Sequence, residues 1–158
     1  MEGYRWFDLC SRQLRNLNGP YWRFHRHLSQ ELSTNYRTIL ALNLLKVDVE
    51  GGSPYGTSEC ESILQAQSAT LSEEIRILKP NVIVFLTSWR KDEILRQELP
   101  GAQFSAALDD NIHLLARIDG VHAGQLMFRT YHPGFLNRLP GTRDRVLTTI
   151  VNGIREMR

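Results

Sequence analysis

The stretch EEIRILKPNVIVFLTS, residues 73–88, constrains the fold more than any other part of the chain. Leu64, Leu71, Ile75 and Leu78 recur on one helical face. That face stops at Pro80, because proline cannot continue a helix and also disfavours helical backbone in the residue before it. Val82 to Leu86 then form an unbroken, largely β-branched apolar run. Such a run, without polar alternation, suits a strand covered on both faces, the condition found in helix-covered sheets.

The rest of the chain extends this alternation. Ser58 and Glu61 make a capping-box pattern at the start of the helix that ends before Pro80. A helix from about Ser88 to Leu99 follows the apolar run. Strands are expected near Phe104, over Ile112 to Ile118 and over Gln125 to Tyr131. Upstream, Ile39 to Leu45 suits a buried strand, and residues 4–17 and 20–33 read as helices, the second opened by Pro20. Thr142 opens a last helix whose apolar face includes Leu147, Ile150, Val151 and Ile154. Strands alternating with helices predict an α/β chain, a three-layer αβα sandwich around a mostly parallel sheet. At 158 residues, without repeats or a long linker, it forms one domain.

Composition excludes several classes. Hydrophobic residues at 42% and charged residues at 23% belong to a globular chain and not to a disordered one. No apolar run approaches the roughly eighteen residues a membrane span needs, and MEGYRWFDLC lacks the layout of a secretory signal. A soluble, cytoplasmic monomer without membrane attachment is the expectation. Cys10 and Cys60 have neither CxxC spacing nor partner histidines, so neither a disulfide framework nor a zinc site is indicated. His25 and His27 do not share a helical face, which argues against a two-histidine metal site. GGSPYG lacks the Lys-Ser/Thr ending of a phosphate loop. No metal or organic cofactor is expected.

Charge is unevenly spread. Residues 1–46 carry seven Lys/Arg against three Asp/Glu, residues 47–120 six against twelve, and residues 121–158 six against two. If the fold joins the two basic ends, they make one positive face suited to a phosphate backbone. Sixteen of the nineteen positive residues are arginine, whose planar fork fits phosphates and base edges; a compositional bias towards arginine explains the same count equally well.

In open α/β sheets ligands bind beyond the carboxyl ends of the strands. That rule selects Asn43 and Lys46, then Thr87 and Ser88, then Tyr131, His132, Pro133 and Gly134. An asparagine between Leu42 and Leu44 needs partners for its amide, and either neighbouring backbone or the edge of a nucleobase supplies them. Around His132 stand Arg129, Arg138, Arg143 and Arg145, with Phe135 and Leu136 as apolar groups. Apolar loop tips beside positive charge have the character of a wedge that enters a nucleic-acid stack.

The string ALNLLK, the intervening EEIRILKPNVIVFLTS and the later TYHPGFLNR together resemble the uracil-DNA glycosylase superfamily, over roughly residues 20–158. The resemblance implies that Asn43 recognises a base, that His132 stabilises the departing base, and that Leu136 enters the DNA stack. With the strand-end rule and the groups around His132, it makes Thr87, Tyr131, Gly134 and Phe135 the candidates for substrate contact, and Arg129, Arg138, Arg143 and Lys46 the candidates for contact with the DNA backbone. DNA is the partner so implied. The chain departs from the family pattern in two ways. Nothing upstream of Tyr4 supplies the family's first strand with its water-positioning residue, and HPGFL has Gly134 and Phe135 where a serine and a second proline are usual.

Asp8, among Trp6, Phe7 and Leu9, is one candidate for positioning the water, although a solvated aspartate on a helix face is the plainer account. Asp48 and Glu50 are similar candidates, yet acidic residues are common before a GG turn. Trp6, Tyr21, Trp22 and Phe24 suit either base stacking or the core. The expectation is a glycosylase that flips a nucleotide, with a pocket wide enough for a bulky modified base such as those distinguishing viral DNA. An inactive nucleic-acid- or protein-binding module of the same fold is the alternative.

Overall fold

The computed structural model describes residues 18–32, 39–121 and 124–157; the expected helix over 4–17, with Trp6, Asp8 and Cys10, lies outside them. In chain order the elements are α1 (Pro20–Glu31), α2 (Cys60–Ala66), α3 (Thr70–Leu78), β1 (Val82–Phe85), a 3-10 turn (Trp89–Lys91), α4 (Asp92–Glu98), β2 (Gln103–Ala106), β3 (Leu115–Asp119), β4 (Leu126–Thr130), α5 (Pro133–Leu136) and α6 (Thr142–Glu156). They divide between two compact units, Leu42–Tyr131 and the described parts of Met1–Ala41 with His132–Arg158.

The unit Leu42–Tyr131 is built on a four-stranded sheet in the order β1-β4-β3-β2. Only β1 and β4 run parallel; β4 with β3 and β3 with β2 are antiparallel. The chain is therefore α/β with a mixed sheet, and the expected mostly parallel one is corrected. The reason is connection length. β2 ends at Ala106 and β3 begins at Leu115, β3 ends at Asp119 and β4 begins at Leu126, and links that short join antiparallel neighbours, whereas parallel neighbours need a long crossover. Where β2 and β3 begin and end side by side, a Cβ on Gly120 would lie 2.6 Å from the Gly101 carbonyl oxygen, and Gly120 has φ +84°. Only glycine fits that approach and that backbone.

One face of the sheet packs Phe85, Ile118 and Met127 against Leu71 and Ile75 of α3 and Leu95 and Leu99 of α4. The central strand β4 is buried along its whole length. β1 is half-buried at three of its four residues, so the expectation of a fully covered strand there is too strong.

Two further expectations change. The helix ending before Pro80 is split into α2 and α3 by Ala69, which has left-handed backbone (φ 66°), and the Ser58–Glu61 pattern forms no capping box, the N-cap of α2 being Glu59 without a side-chain cap. The cause of the break is tertiary. Gln67 turns inward to accept the Lys46 N–H at 3.0 Å and to donate to the Leu44 carbonyl at 3.5 Å. Ile39 to Leu45 is not a strand, and Leu40 and Leu42 are exposed. Only Leu44 of that pair-and-neighbour run packs against the core.

In the other unit α1, α5 and α6 pack on one another. Val146, Leu147, Ile150, Val151 and Ile154 of α6 are buried, as the helical period predicts. Arg155 donates to the carbonyl oxygen of Glu31 at 2.9 Å and pairs with its carboxylate at 3.3 Å, tying the end of α6 to the end of α1.

Candidate functional site

The carboxyl ends of the parallel strands β1 and β4 lie side by side. The Ser88 N–H donates to the Thr130 carbonyl at 2.9 Å, which sets Thr87 and Ser88 beside the end of β4, immediately before Tyr131. Thr87 carries a buried hydroxyl oxygen without a hydrogen-bond partner among the described residues. Ser88 has φ +68°, uncommon for a side-chain-bearing residue and a form of strain that concentrates at functional sites. Its hydroxyl accepts the Arg90 N–H at 3.4 Å, opening the 3-10 turn. Trp89 then stacks on His113, with ring centroids 4.6 Å apart and planes 16° from parallel. The Lys91 ammonium lies 2.9 Å from the centroid of Tyr55, and burial lowers its pKa. Ser88 stands where the strand-end rule places it, whereas Trp89 and His113 were not legible as part of a site, because a stack between residues far apart in the sequence leaves no local pattern.

Asn43 does not join this group. It sits in an exposed segment outside any strand, and its carbonyl accepts from the Lys46 ammonium. Lys46 also pairs with Glu74 at 2.7 Å, so its charge is engaged within the fold and not offered to a phosphate. Asp48 accepts the Gly51 N–H at 3.3 Å, a turn role.

Arg129 is likewise corrected from DNA contact to core. Its side chain is 0% exposed and pairs in bidentate fashion with Asp92, at 2.8 Å (Nε to Oδ1) and 3.0 Å (Nη2 to Oδ2). Its remaining donors reach the carbonyls of His113 at 2.9 Å and Ile112 at 2.7 Å. The cause is strand alternation: Arg129 and Met127 point to the same face of β4, and Met127 faces the helices.

His132, Gly134, Phe135, Leu136, Arg138 and Arg143 belong to the other unit. His132 is exposed and caps α5, its Nδ1 accepting the Gly134 N–H at 3.1 Å. With Nδ1 an acceptor, the neutral ring carries its proton on Nε2, as a donor. A Cβ on Gly134 would stand 3.2 Å from that Nδ1, so a larger residue there would press on the ring. Leu136 is fully buried, 0% exposed, whereas Phe135 is 41% exposed. The short helix α5 turns the two side chains opposite ways, and the expected wedge residue is a core residue. Arg138 is exposed, and Arg143 bonds Asp144 at 2.8 Å and Asn137 at 3.4 Å.

α1, with Arg23 and Arg26, and α6, with Arg143 in its first turn, pack together in this unit, while the other arginines of residues 1–41 lie outside the described residues. Phe24 is core, while Tyr21 and Trp22 are half-buried and meet edge to face at 5.1 Å, beside His25. Among the described residues no group of three or more His, Cys, Asp or Glu could hold a metal ion, and no helix is long and apolar enough to cross a membrane. No family model, no curated protein and no solved structure matches this chain.

Proposed function

We propose that this chain acts on DNA as a glycosylase of the kind its TYHPGFLNR segment resembles, turning one nucleotide out of the stack and hydrolysing its N-glycosidic bond. The observation that carries the reading is the Gly134 N–H to His132 Nδ1 hydrogen bond at 3.1 Å. It selects the tautomer of the neutral imidazole, with Nε2–H as donor. As the bond from C1′ to the base breaks, its electron pair leaves with the base and the sugar takes on oxocarbenium character. A neutral donor to the departing base strengthens as charge develops, so it stabilises the transition state more than the bound substrate. Water adds at C1′ and its proton balances the base anion, leaving an abasic site.

In this reading Phe135, and not Leu136, is the apolar group offered to the stack. The three-layer arrangement of the family is part of the proposal. The exposure of His132 favours a second reading, a DNA-binding module without chemistry, because a donor open to water gains less from developing charge.

Duplexes carrying uracil and duplexes carrying bulky modified bases, assayed side by side for abasic sites, test the proposal. Excision of at least one is expected, with His132→Ala lowering the rate by about 10²–10³ and changing DNA affinity much less. Binding without abasic sites on any substrate selects the second reading. An absence of DNA binding at low salt overturns both.

A further inference from the structure

On α1, Arg23, Arg26, His27 and Gln30 fall at positions i, i+3, i+4 and i+7, a single stripe along the helix. The buried residues Phe24, His25, Leu28 and Ser29 occupy the opposite side. Arg143, in the first turn of α6, and Leu147, one turn further on, close the stripe into a cleft of about 210 Å³. Among the described residues its lining contains three guanidinium groups and an imidazole and no carboxylate.

Asp144, outside the lining, engages Nε and Nη2 of Arg143 at 3.0 Å and 2.8 Å. Asn137 takes one N–H of Nη1 at 3.4 Å. A guanidinium has five N–H donors, so one N–H on each terminal nitrogen of Arg143 is left for a ligand. Arg23 is exposed and forms no ion pair among the described residues.

From these observations we infer that the cleft between α1 and the start of α6 binds the phosphodiester backbone of DNA. The inference rests on the DNA reading above and extends it to a place and a set of residues. Two features favour a strand over an isolated phosphate or a membrane surface. The stripe from Arg23 to Gln30 runs about 10 Å along the helix axis at 1.5 Å per residue, longer than a single phosphate group and about three rises of 3.4 Å along a duplex axis. The start of α1 also abuts the turn that holds His132, Pro20 lying 3.9 Å from where a Cβ on Gly134 would be. The cleft thus tracks the strand within a few nucleotides of that turn.

The test is anisotropy of a labelled 20-base-pair duplex at 50 to 200 mM salt, comparing the wild type, Arg23→Gln/Arg143→Gln and a control of equal charge change, Lys79→Gln/Arg117→Gln, on the other unit. Each phosphate contact contributes about 0.9 to the slope of log affinity against log salt. Removing two contacts should make the affinity lost across that range about twelve-fold smaller, and the control should keep the wild-type slope. Equal slopes for the two doubles overturn the cleft, as does tighter binding to anionic lipid vesicles with the DNA slope unchanged. Abasic sites are counted on the same duplexes. A reduced slope without excision keeps the cleft and overturns the glycosylase reading; excision with an unchanged slope does the reverse.

Discussion

Replacing Arg129 with methionine separates its two assigned roles, DNA contact and core support. The geometry predicts a large loss of stability. Both guanidinium bonds to Asp92 disappear, together with the donors to the Ile112 and His113 carbonyls. Asp92 is only 13% exposed and would keep a charge with little water to solvate it. Removing one partner of a buried ion pair costs about 3–5 kcal/mol, mostly through the uncompensated charge that remains. Small domains have about 5–15 kcal/mol in total, so about a fifth or more of the stability is at stake.

Urea unfolding reads this directly. With a slope of about 2 kcal/mol per molar, the midpoint of Arg129→Met should fall by about 1.5–2.5 M. Adding Asp92→Leu should recover part of the loss, because the stranded charge is gone although the two carbonyls stay unpaired. At salt concentrations where the variant remains folded, DNA affinity should match the wild type. A midpoint within a few tenths molar of the wild type, accompanied by weaker DNA binding, would refute the argument and return Arg129 to the interface.

Two further outcomes follow from burial. Leu136→Ala should cost about 2–5 kcal/mol in thermal or urea unfolding, whereas Phe135→Ala should stay within about 0.5 kcal/mol and lower the excision rate. The reverse pattern would restore Leu136 as the wedge. His25 is 6% exposed, its Nε2 is buried without a partner among the described residues, and burial lowers its pKa even though a hydrogen bond with the Ile39 backbone acts the other way. Its folded pKa therefore lies below the unfolded value of about 6.5, so the unfolded chain binds the proton more readily. Stability should be full above that unfolded value and fall as pH drops through it towards the folded pKa. His25→Gln should flatten the profile between pH 7 and 5, and an unchanged slope would show that another group controls it.

Local pattern determined the elements whose signals are local. Pro80 stopping a helix, the β-branched run of β1, the opening of α1 at Pro20 and the period of α6 all follow from backbone sterics and from side chains a few positions apart. The direction of the strands was not legible in that way: alternation of element types points to a parallel sheet, and two of the three strand pairings are antiparallel. At the site, local pattern located the HPG turn, whereas the cleft beside Arg23, Arg26, His27 and Gln30 exists only through the packing of α1 on α6.

Tertiary structure decided which side each ambiguous residue faces. Arg129 reads as a surface cation until Asp92, 37 residues away, is brought beside it, because a buried guanidinium is tolerable only with such a partner. Leu40 and Leu42 read as strand core, but a strand needs a neighbour to take its backbone hydrogen bonds, and Ile39 to Leu45 has none in the sheet. Leu136 and Phe135 are equally apolar in the sequence, and the turn of α5 sends one into the core and leaves the other outside. Burial, pairing and charge compensation depend on groups distant in the chain, and only the folded arrangement brings them together.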